Sequence, residues 1–178
     1  MALNLWNNLP SKIKRILTIA IFFFISIIIT IAGALTPLSP SDARDIKQEF
    51  DKISANPNVQ LIFGNNFMIC LIMFIPVVGP IIGSYALYST GVVIAAQSIV
   101  GGLPPLTAFL SLFILPFAWL EFLAYSTALV ESFWLIWRMF HHKMKRELVN
   151  ACILISICAV MLFAAAVIEM ALILYFGG

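Results

Sequence analysis

Three of the eight acidic side chains, Glu121, Glu131 and Glu169, sit inside long apolar runs of the sequence. A charge near the centre of a bilayer is costly, so such a group is paired, protonated or turned toward water. Two chemistries follow. One is a polar network that holds helices together, and the other is a site for a proton, an ion or a small polar substrate. Asn65, Gln97, Glu121 and Glu169 each fall about four to eight residues inside one end of an apolar run. At about 1.5 Å per residue they share one layer of a membrane. Asn66 and Tyr125 lie beside that layer and complete the expected polar set. Glu131 stands apart, ten residues beyond Glu121 and in the opposite half of the bilayer. No Lys or Arg falls as deep as Glu121 or Glu169, so their partners must be amides or hydroxyls.

Other reactive residue types point away from catalysis. His141 and His142 are adjacent in a basic stretch with no third ligand nearby, which reads as a solvated loop and not a metal centre. Cys70, Cys152 and Cys158 lie inside apolar runs, which excludes a disulfide framework in an exposed loop; they read as small core residues. There is no Gly-rich phosphate loop, nucleophile elbow or His-Glu-x-x-His pattern. The expectation is therefore no catalytic residue, no metal, no cofactor and no enzyme.

The elements that position these groups follow from composition. Of 178 residues, 62% are hydrophobic and 10% charged, against about 45–50% and 25% in soluble domains. The chain reads as an all-α, polytopic transmembrane bundle forming a single domain over 1–178. Its net charge of +2 excludes nucleic acid as a partner. Five spans are expected, at about 16–35, 61–77, 81–99, 117–138 and 148–176. Residues 1–15 rest on the membrane surface through Leu3, Leu5, Trp6 and Leu9. The first span also resembles a secretory signal ending in Ala32-Gly33-Ala34, but its length favours a retained span. The polar segment 36–60 carries a helix capped by Ser41 and starting at Asp42, with Ile46, Phe50 and Ile53 in one stripe.

Two breaks are expected. Pro76, Gly79, Pro80 and Gly83 interrupt the chain between the second and third spans. Pro116 divides a half-helix at 106–115 from the fourth span, because 106–137 as one helix overshoots a core of about 30 Å. Gly83, Gly91 and Ala95 leave one side of the third span narrow enough for close helix packing. The basic clusters Lys12–Arg15 and Arg138–Arg146 place the N-terminus in the cytoplasm and, after five crossings, the C-terminus outside.

Several phrases are similar to those of the stage II sporulation protein M family, found in bacteria and archaea. Ile62-Phe63-Gly64-Asn65-Asn66 resembles the opening of the family's second span, and Gly79-Pro80 with Gly83 resembles its break. Thr90-Gly91 with Ala95 resembles an Asn-Gly phrase, and Pro116 to Glu121 keeps the Pro and Glu of Pro-His-Gly-x-x-Glu. Ala164-Ala165-Ala166-Val167-Ile168-Glu169 resembles the last span. Phe117 stands for the His, Ala118 for the Gly and Thr90 for the Asn, which removes any role of that His here. The resemblance implies a divergent, archaeal-type, five-helix membrane protein without known catalysis. In sporulating bacteria the family member is a membrane scaffold in a cell-wall remodelling complex.

The reading reached is a non-enzymatic scaffold or accessory subunit in the cell membrane, with other membrane proteins, a second copy of itself and lipid as partners. The bound enzyme would be a wall-remodelling enzyme or a large membrane oxidoreductase. The alternative is a small transporter or permease component built on the broken helices and buried acids. A hydrolase acting within the bilayer ranks below both, since no nucleophile and base pair is evident.

Overall fold

A computed structural model describes residues 10–140 and 144–176, and these form seven helices without a strand. They are α1 (Ser11–Ala34), α2 (Pro40–Ile53), α3 (Val59–Met73), α4 (Val78–Val100), α5 (Pro105–Leu112), α6 (Pro116–Phe140) and α7 (Met144–Phe176). The expected surface segment with Leu3, Leu5, Trp6 and Leu9, and the pair His141–His142, lie outside the described residues.

Helices α1, α4 and α7 are long and apolar enough to cross a membrane, and α5 with α6 forms a pair bent by 87°. That makes three spanning helices, or four if the bent pair is one span. The expected count of five is not reached by length, because α3 has 15 residues, about 22 Å against a core of about 30 Å.

The breaks follow local chemistry. The bend before α6 falls where Pro116 was expected to divide the chain, and Pro116 opens the helix, where its missing N–H is no loss. Carbonyls freed at the end of α5 need donors. Trp119 supplies one, its indole N–H reaching Phe113 O at 2.8 Å. The first break is shorter than expected. Only residues 74–77 are non-helical; the N–H of Val78 turns back to Pro76 O at 2.8 Å, with Val77 at φ 70°. Pro80 is tolerated in the first turn of α4, so the helix begins at Val78 and not at 81, and Gly83 is helical. The helix in the polar segment also starts earlier. Ser39, not Ser41, is its N-cap, accepting from the Asp42 N–H at 3.2 Å, because Pro40 favours the first helical position.

Side-chain contacts set the helix directions. Asn66 lies against Glu121, Cys70 against Ala124 and Ile75 against Ser132, so α3 runs parallel to α6. Helix α7 runs the other way, since Cys158 meets Ala124 and Glu147 meets Arg138. Helix α1 also opposes α6, through Arg15 with Glu131 and Ser26 with Ser126. Gly83 of α4 packs on Leu129 and Met73, and Gly91 packs on Thr30 and Ala34, so α4 leaves from the same end as α1. The five longer helices thus alternate in direction around a core of Cys70, Met73, Phe109, Phe122, Ala128 and Leu162.

The tightest crossing joins α1 and α4. A Cβ on Gly91 would overlap the Thr30 carbonyl, and one on Gly33 would overlap the Tyr88 carbonyl. Backbones this close gain dispersion contact along their whole crossing, which larger side chains would forfeit. Ala95, fully buried, lies one turn further along α4.

Candidate functional site

Helix α6 carries two acids, and each anchors a polar cluster. Near the Pro116 end, the Asn66 amide donates to Glu121 Oε1 at 2.6 Å across the α3–α6 contact. Glu121 is half-buried, as is Tyr125 one turn on. Glu169 comes from α7, on the same helical face as the buried Leu162, Ala165 and Ala166. Its carboxyl and the Tyr125 phenol lie close enough to interact electrostatically with Glu121. An amide, two carboxyls and a phenol from three helices therefore gather at one level.

Asn66, Glu121, Tyr125 and Glu169 come together, and two other expected members do not. Asn65 is exposed on the other side of α3, since successive helical residues point about 100° apart. Gln97 is half-buried on α4, and no hydrogen bond among the described residues joins it to this group.

One turn deeper, the Cys70 thiol of α3 and the Cys158 thiol of α7 converge on one acceptor. Each donates to Ala124 O, at 4.0 and 3.6 Å. Both side chains are fully buried.

The second cluster lies toward the Arg138 end and is ionic. Glu131 is fully buried, with Arg15 Nη1 of α1 at 3.4 Å from its Oε2. Arg15 also bonds Glu147 at the start of α7, and Glu147 Oε2 is 3.6 Å from Arg138 Nε. Trp134 lies under both guanidinium groups, 5.5 Å from that of Arg15 and 5.9 Å from that of Arg138. Two Arg and two Glu cancel in charge, so the group as a whole is tolerable in a low dielectric. Glu131 accepts no hydrogen bond among the described residues and is held by Coulomb attraction alone.

Sequence reasoning did not assemble this cluster. From the sequence Arg15 and Arg138 mark topology only, and Glu147 takes no assigned role. The signal was present: all three flank spans at the face toward which Glu131 lies, within reach of long side chains running back along their helices.

Chemically, both clusters fasten helices to one another. Among the described residues no three His, Cys, Asp or Glu side chains gather as a metal set.

Three of the phrases that carried the family resemblance meet in this arrangement. Ile62–Asn66 on α3 and Pro116–Glu121 on α6 are joined by the Asn66–Glu121 bond, and Glu169 of the last-span phrase lies within electrostatic reach of Glu121. No curated protein matches the chain, and no solved structure does. The family model described as Stage II sporulation protein M matches residues 19–172, from α1 nearly to the end of α7. The chain accordingly belongs to the stage II sporulation protein M family.

Proposed function

We propose that this protein is a non-enzymatic integral membrane scaffold or accessory subunit, whose helices hold partner membrane proteins. The observation that carries this reading is the division of labour on α7. Its inner face is committed to the bundle through Glu147, Cys158 and Leu162. Its outer face is a continuous apolar stripe, Ile153, Ile157, Val160, Val167 and Leu174, all exposed. Such a stripe at near-heptad spacing is the form in which one helix receives another.

In this reading the chain crosses the membrane five times, with α3 as the short fifth span. The alternating helix directions support that count, with the Arg15 end cytoplasmic and the C-terminus outside. Single-cysteine labelling on intact cells tests the orientation. Position 47 should react with an impermeant reagent and position 145 should not; the reverse pattern overturns it.

Purification in mild detergent, with identification of co-purifying proteins, tests the function. A stoichiometric membrane partner that is lost when Val160 and Val167 are replaced by Trp supports the scaffold. The second reading, a transporter component, draws on the 87° bend beside Glu121. A lone protein whose Glu121→Gln form alters proton or solute flux in vesicles would favour it.

A further inference from the structure

Cys70 and Cys158 are 88 positions apart, and neither has a thiol neighbour in sequence, yet both thiols bond the same Ala124 carbonyl. They approach it from two helices, α3 and α7, that also pack on each other, and the two thiols lie close enough to interact. Both are fully buried, whereas the third cysteine, Cys152, is exposed on α7. We propose that Cys70 and Cys158 are a redox pair that closes into a disulfide, stapling α3 to α7 beside α6.

The surroundings select this product over its competitors. A thiolate or a metal–thiolate centre would leave net charge in an apolar core where no cation lies at this level among the described residues. A disulfide is neutral and apolar, and it asks only that two sulfurs already sharing one acceptor close to about 2.05 Å. In the reaction two S–H bonds break and one S–S bond forms. The two electrons and two protons pass to a lipid-soluble acceptor of the quinone class, which becomes the quinol. Burial in an apolar core favours an oxidant that partitions into the membrane over a water-soluble one. Closure would also fix the register of α3 on α7, and with it the position of α3 beside α6. Asn66 lies one turn from Cys70, so the oxidised form holds the Asn66–Glu121 bond more firmly. The inference stands whether the protein is a scaffold or a transporter.

The test uses the full chain in detergent or vesicles, decylubiquinone as oxidant, and maleimide-polymer labelling after denaturation. The reduced protein should take three adducts, matching its three cysteines, and the oxidised protein one, with all three restored by dithiothreitol. The Cys152→Ser variant, altered only at an exposed position, should fall from two adducts to none without forming dimers on a gel. Cys70→Ser should keep both of its adducts. Retention of both adducts by folded Cys152→Ser, under quinone that removes them from the unfolded chain, would overturn the proposal. So would a loss accompanied only by dimers through Cys152.

Discussion

At the Pro116 end of α6, Glu121 takes a hydrogen bond from a neutral amide, while ten residues on Glu131 faces a guanidinium and accepts no hydrogen bond among the described residues. Both acids lie on one helix in one protein, and their environments differ by the parts within reach. The Arg138 end of α6 lies beside the starts of α1 and α7, where charged residues flank the spans. Long Arg side chains bend back along their helices and bring charge inward. Beside Glu121 the neighbours are mid-helix residues of α3 and α7, and an amide is the strongest donor they offer. The difference thus lies in the partners and not in the depth of the acids on α6: neighbouring helix starts supply guanidinium groups to Glu131, and mid-helix positions supply an amide to Glu121.

The largest effect expected from this comparison is at Arg15. Arg15→Leu strands the fully buried Glu131 and removes one partner of Glu147. Breaking a buried pair from one side costs about 3–5 kcal/mol, more than the pair contributes when both partners are removed. Arg15→Leu with Glu131→Leu should therefore recover most of the loss, measured as SDS-driven unfolding in detergent. A double variant as unstable as the single one would show that Glu131 does not depend on Arg15.

The Glu121 end should respond less. Glu121→Leu leaves the Asn66 amide without its acceptor, at about 1–3 kcal/mol. Glu121→Gln keeps an acceptor and should stay close to the parent. If both variants lose the same stability, the carboxylate charge and not the hydrogen bond holds that end, and the contrast between the two ends collapses.

Smaller again is Arg138→Gln. Its contact with Glu147 is at 3.6 Å on a side chain 28% exposed, the more solvated edge of the ionic cluster. A loss of about 1 kcal/mol or less, reduced by salt, marks it as the rim of the cluster that Arg15 centres.

Particular residues show what the sequence made legible. Pro116 announced the bend before α6, because a proline inside a span has no N–H to give. The apolar runs announced the helices, although α3 fell short and the Pro76–Gly83 break shrank to four residues. A proline in a first turn interrupts nothing, and spacing alone does not reveal which turn that is. Glu121, Asn66, Tyr125 and Glu169 were found by depth, since depth is linear in residue number. Depth carries no azimuth, so it also selects Asn65, which is exposed, and Gln97, which no hydrogen bond among the described residues joins to the group. The Arg15 cluster and the Cys70–Cys158 pair depend on which helices are neighbours, information that lies in packing and not in periodicity.

The smallest expected effect sharpens the comparison from the other side. Glu169 shares the level and inward face of Glu121, yet no donor among the described residues bonds it. Its removal therefore leaves no polar group stranded, and the part of a hydrogen-bond deletion that costs most is missing. Glu169→Leu also takes away a second carboxyl that opposes Glu121, and it puts apolar volume where apolar neighbours Ala165 and Ala166 already lie. The two contributions favour the variant, and the altered packing of a larger branched side chain opposes it. Stability should stay within about 0.5 kcal/mol of the parent, the range of substitutions that strand nothing. The measurement is the same SDS titration, run beside Glu121→Leu. A loss at Glu169 equal to that at Glu121 would mean that Glu169 also holds a donor, from water or from a second chain. Running the titration on the complex with its co-purifying partner and on the protein alone separates those two sources.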